Sequence, residues 1–350
     1  MQRNREGFHF CGAVIGVCMF KKGSFMVNIE DRGIFFRLKK GFMLVLVLLG
    51  AALAVSGCGG RKSVSEDDGK LSVICTLFPQ YDFARYVGGE YGDVTMLLSP
   101  GQEAHMFDPT PADMEAIASC DVFIYTGDSM EGWAAQIVES LDDSVYVLDL
   151  SQYVTLREEE EHDHEDEHSH HDHGGYDPHY WLDMTNAQAM VQAIGDTFSM
   201  LDEVHSQEYA QRTGEYVKEL ARLDEAFMET VSDSPRQDIV FGGRFAYSYF
   251  IHRYGLEYET VYHTCSAEAD PSVSDMIRVI DYIHEHGNSC IFYEELASGN
   301  VARTIAQDTG IQTAVFTTGH NVTKDEFDQG ITFIDLMERN LELLKNVLAQ

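Results

Sequence analysis

Residues 207–231 read QEYAQRTGEYVKELARLDEAFMETV, and this stretch decides the architecture. Tyr209, Tyr216, Leu220, Leu223 and Phe227 recur at spacings of three, four or seven residues, which is the period of one face of an α-helix. Pro235 ends the pattern, because a proline ring cannot continue a helical ladder. A helix of this length in mid-chain is a natural backbone between two bodies.

What flanks it is the same kind of succession twice. Upstream, short apolar runs at 71–77, 94–98, 122–125 and 145–148 read as strands, with helical patterns at 80–87, 111–118 and 131–141 between them. A further helix over 186–201 leads into the long one. Downstream, strands are predicted at 238–241, 258–262, 290–293 and 313–316, and helices at 246–254, 272–286, 302–309 and 327–348. This alternation is the mark of parallel sheets covered by helices. The expected fold is therefore two α/β lobes, 71–205 and 235–350, joined by a long helix over 206–234. No clear internal sequence repeat accompanies it.

At 350 residues the chain is long enough for two domains. Hydrophobic residues make up 44% and charged residues 23%, a globular balance. The formal net charge of −34 argues against nucleic acid, whose phosphates need a basic footprint. It suits a protein that deals with cations.

Residues 37–58, RLKKGFMLVLVLLGAALAVSGC, read as an export signal. Arg37, Lys39 and Lys40 supply the positive start, and the apolar run at 42–55 is too short for a membrane span. Val55-Ser56-Gly57-Cys58 resembles a bacterial lipobox, in which cleavage precedes a cysteine that carries lipid. Residues 1–57 are thus set aside as a signal segment with an over-extended start, Cys58 is the expected lipidation site, and 58–70 is a polar tether. The expectation is a monomer held to the outer face of a membrane. Among the remaining cysteines, Cys75, Cys120, Cys265 and Cys290, a pair between Cys265 and Cys290 is compatible with their places in the chain. No C-x-x-C is present, which argues against cysteine-bound structural zinc.

Residues 157–175, REEEEHDHEDEHSHHDHGG, interrupt the first lobe. They offer no apolar residue to a core and read as a loop that gathers metal loosely through His162, His164, His168, His170, His171 and His173. Two turns carry sharper chemistry. His105 lies in SPGQEAHMFDPT (99–110), between a predicted strand and a helix, at the sheet edge where α/β folds place ligands. His179 lies in YDPHYWLD (176–183), among aromatic neighbours that would give it a dry, fixed setting. Neutral imidazoles suit zinc better than calcium or magnesium, and two converging from separate loops make half a tetrahedral site.

In combination, SPGQEAHMFDPTPADMEAI, DPHYWLDMTNAQAM, RFAYSYFIHRYGLEY and CSAEADPS resemble the zinc/manganese solute-binding proteins of ABC-type metal importers, from about residue 71 to residue 348. The resemblance implies two α/β lobes with a rigid linking helix, metal in the cleft, and a permease as partner. It places the first two histidine ligands on His105 and His179. The His-rich insert is typical of zinc-handling members, so Zn2+ is the expected cargo, with manganese or iron as the alternative. The chain departs from the family where a third ligand is usual. Arg244 stands there, and a guanidinium has no lone pair to give. His320, close behind the strand at 313–316, is the replacement ligand expected first, then Glu268, with Glu294 or Glu295 also in reach. Arg244 is free to pair with one of these carboxylates.

Enzyme signatures are missing from the predicted elements: no H-E-x-x-H lies on a helical stretch, the one match at His164–His168 falling in the acidic loop, and there is no G-x-S-x-G and no phosphate-cradling glycine loop. Gly242-Gly243 reads as a turn after a strand. A zinc-dependent hydrolase is the remote alternative, and a metal-carrying surface adhesin the other.

Overall fold

Both successions fold into parallel sheets with the same strand order. The computed structural model describes residues 69–105, 107–158, 175–262 and 271–350. In the first lobe β1 (Leu71–Cys75), β2 (Gly92–Met96), β3 (Val122–Tyr125) and β4 (Tyr146–Asp149) lie in the order β2-β1-β3-β4, every pair parallel. In the second, β5 (Asp238–Phe241), β6 (Glu257–Thr260), β7 (Cys290–Tyr293) and β8 (Gln312–Val315) lie in the order β6-β5-β7-β8, again parallel. Parallel neighbours require crossover connections. Helices α1 (Phe78–Gly88), α2 (Pro111–Ile117) and α3 (Gly132–Val138) serve the first sheet. Helices α6 (Ser248–Tyr254), α7 (Val273–His286) and α8 (Asn300–Thr309) serve the second. The repeat absent from the sequence is thus present in the topology. In each lobe the winding reverses between the first and third strands, and the loops beyond their carboxyl ends are the expected ligand position.

The period-2 alternation of strand side chains divides each sheet cleanly. Val73, Cys75, Val122 and Ile124 point one way, while Ile74, Phe123 and Tyr125 point the other, against Ile117, Ala134 and Ile137 of α2 and α3. In the second lobe Ile239, Phe241 and Phe292 face inward, whereas Val240 and Ile291 meet Val279, Ile283 and Ile305 of α7 and α8. The two inner faces belong to one continuous core, shared with the helices behind them.

Those helices are α4 (Met184–Leu201), α5 (Ser206–Asp233) and the last one. The 28 residues of α5 span ~42 Å at 1.5 Å per residue. Tyr209, Thr213, Tyr216, Leu220, Leu223, Phe227 and Val231 form its buried stripe, containing every residue the sequence pattern picked out. Helices α4 and α5 cross closely at Gly195, where a Cβ would come within 2.0 Å of Thr213 Oγ1. The one carboxylate on the buried face of α5, Asp224, accepts from Arg253 Nε at 3.0 Å and from the Tyr254 hydroxyl at 3.0 Å.

The closing helix predicted over 327–348 is two helices, α9 (Lys324–Asp328) and α10 (Phe333–Leu348). Gly330 takes a left-handed φ of 75°, and Thr332 caps α10 in a reciprocal capping box with Asp335. From that break α10 turns onto the first lobe. The Phe333 ring meets Phe83 edge-on at 5.2 Å, the Phe333 N–H donates to buried Asp82 at 2.9 Å, and Arg85 donates to the Ile331 carbonyl at 2.8 Å.

Cys75, Cys120 and Cys290 are buried free thiols, so the pairing of Cys290 with Cys265 is not formed. Cys290 instead lies in strand β7 with its side chain in the shared core. Cys58 and the export signal, the histidines at 162–173, Cys265 and Glu268 lie outside the described residues.

Candidate metal centre

Three histidines from three separate loops meet between the lobes. The ligand nitrogens of His105, His179 and His320 all lie within 4.8 Å of one another, and among the described residues no carboxylate joins them. Their ring centroids are 5.7, 5.2 and 4.7 Å apart for the pairs 105–179, 105–320 and 179–320. Each loop follows from its local sequence.

His105 sits on the connection between β2 and α2. Gly101 turns that loop with a φ of 82°, and Thr110 with Pro111 at the first helical position starts α2 behind it. The second lobe grips the loop directly. Asn321 Nδ2 donates to the carbonyls of Ser99 at 2.7 Å and Gln102 at 2.9 Å, and the Gly101 N–H donates to Val322 O at 2.7 Å.

His179 is 2% exposed and immediately precedes the short turn Tyr180–Leu182, whose three side chains are fully buried. Asp177 Oδ1 accepts both from the His179 backbone N–H at 2.9 Å and from its Nδ1 at 2.6 Å. The other Asp177 oxygen accepts from the Ser248 hydroxyl. Burial would raise the Asp177 carboxyl, but His179 and these donors more than offset it and hold it below the usual range. An ionised carboxylate only accepts, so Nδ1 carries the proton and Nε2 is the lone-pair nitrogen.

His320 lies two residues after Thr318, in the loop beyond β8 where Gly319 takes a φ of 71°. Thr318 donates its hydroxyl to Glu295 Oε1 at 2.6 Å and its N–H to Glu295 Oε2 at 2.7 Å. With its one proton committed there, the Thr318 oxygen accepts from His320 Nδ1. That leaves Nε2 of His320 as a buried nitrogen with no hydrogen-bond partner. Burial lowers the affinity of His320 for a proton well below the ordinary value, and the nearby His179, His105 and Arg244 lower it further. A neutral imidazole with a bare buried nitrogen is the state a transition metal requires.

Trp181 stands against both imidazoles, with ring centroids 5.5 Å from His179 and 5.2 Å from His320. Arg244, at the end of the Gly242-Gly243 turn after β5, is engaged by two carboxylates. Its Nη2 donates to Glu103 Oε2 at 2.5 Å, across the lobes, and its Nε donates to Glu294 Oε1 at 3.0 Å. Burial would raise Glu103, yet the hydrogen bond and charge of Arg244 hold it below its ordinary value.

The geometry thus brings together the three histidines singled out in the sequence. Glu294 is paired with Arg244, and Glu295 serves as the support of Thr318. The sequence reading missed Asp177, Ser248, Thr318 and Asn321, which orient the histidine loops. Only Asp177 left a legible signal, an acid two residues before a histidine with proline between.

Residues 73–347 match the family described as ZnuA, zinc-uptake complex component A, periplasmic. The chain is 32% identical over 310 residues to the high-affinity zinc uptake system protein ZnuA of Bacillus subtilis, covering 87% of this chain and 97% of that protein. It is 29% identical over 315 residues to the zinc-binding lipoprotein AdcA of Streptococcus pneumoniae, covering 89% of this chain but spanning only 62% of that longer protein. The crystal structure of the Zn(II)-bound ZnuA-like domain of Streptococcus pneumoniae AdcA is similar with a TM-score of 0.68 at 26% identity, over 81% of this chain and 100% of that domain. The family is defined by uptake and not by catalysis, and its match runs from the first strand to the last helix of both lobes: the chain belongs to the ZnuA family of zinc-uptake components.

Proposed function

We propose that this chain captures Zn2+ through His105, His179 and His320 and delivers it to the permease of an ABC importer while anchored to the outer face of a membrane by lipid on Cys58. One observation carries the metal assignment. Three imidazoles converge, two with their Nδ1 protons committed to Asp177 and Thr318, so that Nε2 is left to bind. An all-nitrogen set favours zinc over manganese, magnesium or calcium, which prefer oxygen donors. The permease and the anchor are supported by family membership and by the Val55–Cys58 sequence respectively. The His-rich segment 157–175 would hold a loosely bound zinc reserve in addition to the tight site.

Titration of the intact chain with zinc, manganese and iron tests this reading. His105→Ala, His179→Ala and His320→Ala should each weaken zinc binding by roughly 10- to 100-fold or more. Deleting residues 158–173 should remove weak sites and leave the tight one. Tight zinc binding that survives all three substitutions, or that vanishes with the loop, sinks the assignment.

A further inference from the structure

Arg244 stands beside the three histidines with a carboxylate on each side. A guanidinium so placed repels a divalent cation, and its persistence there calls for a physical reason. Glu103 and Glu294 are the carboxylates it holds, at 2.5 and 3.0 Å. The Glu294 side chain lies flat against Gly243, where a Cβ would come within 1.9 Å of Oε2. That oxygen is buried and makes no hydrogen bond, and Glu294 lines the same cavity as His105 and His320. The cavity is lined also by Gln102 and Glu103. Two oxygen donors therefore border the histidine cluster, and neither belongs to it.

We propose that Arg244 is a selectivity residue, which holds Glu103 and Glu294 out of the coordination sphere so that the metal meets nitrogen donors alone. The inference rests on the reading of His105, His179 and His320 as ligands. Arginine suits this task because its planar fork engages two carboxylates at once and keeps its charge at every physiological pH. Carboxylates suit manganese and magnesium, whereas imidazoles suit zinc. Engaging the carboxylates costs the site little for zinc, which is content with four nitrogen-rich ligands, and much for manganese, which seeks an octahedral oxygen-rich set. Gly243 is part of the device, since a side chain there would displace the Glu294 carboxylate from its resting place beside Arg244.

The experiment compares Zn2+ and Mn2+ affinities by competition titration of the intact chain, and records the visible absorption of the Co2+ form. Arg244→Gln is expected to lower the zinc-to-manganese affinity ratio by about tenfold or more, the usual scale for residues that orient a metal's ligands. The cobalt bands should weaken as an oxygen ligand raises the coordination number. Adding Glu294→Gln or Glu103→Gln to Arg244→Gln should restore both the ratio and the spectrum. Arg244→Ala provides a second variant with the same expectation. A ratio that stays within about twofold in both variants, with an unchanged cobalt spectrum, overturns the proposal. So does a ratio that falls but is restored by removing neither carboxylate, because Arg244 would then act by charge alone. Unaltered zinc binding in His320→Ala is a different failure, that of the ligand assignment itself.

Discussion

Trp181 donates its indole N–H to the carbonyl oxygen of Thr318 at 2.8 Å, across 137 residues of chain. Trp181 follows His179 by two positions and Thr318 precedes His320 by two, so this single bond sets the spacing of two imidazoles that come from different lobes. Replacing Trp181 with Phe keeps much of the ring and removes the donor, leaving a buried carbonyl unsatisfied. Thermal unfolding of Trp181→Phe should show a loss of about 1–3 kcal/mol, with weaker zinc binding in calorimetry. Unchanged affinity would show that the histidine spacing is set elsewhere.

Asp177 fixes the tautomer and the ring plane of His179. Asp177→Asn retains size but presents an amide, which can donate to Nδ1 and so leave the ring proton on Nε2, the nitrogen that faces the metal. Zinc affinity should fall by roughly 10- to 100-fold, with little effect on the fold. Competition against a chromogenic chelator measures it. An equal loss in a Ser248→Ala variant would point to the position of the carboxylate and not its charge.

Glu131 offers a pH-dependent test away from the metal. It is buried in a ring with Thr76, Gln80 and Thr126, and burial pushes its carboxyl up to about 7 despite the donors around it. Thr76 donates its one hydroxyl proton to Gln80 at 2.8 Å, so a protonated Glu131 can complete the ring by donating to Thr76. The native state then holds a proton that the unfolded chain has lost above its ordinary carboxyl value of 4.5. Stability is therefore highest below about 4.5 as far as this group is concerned, and falls as pH rises from there through about 7, by about 3 kcal/mol in all. Glu131→Gln should flatten that slope and be more stable than the parent at pH 8. Denaturant titrations at pH 5, 6, 7 and 8 decide the matter, and parallel curves for the two proteins would sink it.

Gly195 permits the crossing of α4 and α5. Gly195→Ala drives a methyl group to within 2.0 Å of Thr213 Oγ1, whose hydroxyl is itself bonded to the Tyr209 carbonyl at 2.8 Å. The cost should be about 1–3 kcal/mol in stability, from overpacking a buried contact. Thr213→Ala in the same chain, which removes the clashing oxygen, should recover part of it, whereas Gly195→Ala with no effect on melting would refute the close crossing.

The architecture was legible because strand and helix periods are local. The alternation Val73, Ile74, Cys75 is written in consecutive residues, as is the stripe from Tyr209 to Phe227 on α5. The break between α9 and α10 was also written, in Gly330 and in the Thr332–Asp335 box, but the apolar period runs on through it and masks the stop. The site was half legible. His105 and His179 stand in recognisable turns, and His320 emerged once Arg244 was excluded as a ligand. What the sequence cannot display is pairing at a distance: Arg244 meets Glu294 across 50 residues and Glu103 across 141. The same holds for Asn321 reaching Ser99, since nothing local to asparagine names its acceptor.

The continuous core behind the cleft governs how a bound ion can leave. A clam-shell opens by turning two bodies about a narrow neck, yet here the inner faces of both sheets, α5 and α10 are one apolar mass. Prising the lobes apart would pull Phe333 from Phe83 and wet surface at roughly 25 cal/mol for each square ångström exposed. The loops at the rim are held by a few hydrogen bonds, and Gly101 and Gly319 give them backbone freedom. Unlatching Asn321 from Ser99 and Gln102 touches the core only at its margin, at Ala104 and Val322. The cheap motion is at the lips of the vessel and not at its hinge, so release under the function proposed above would ask only for a loosened rim.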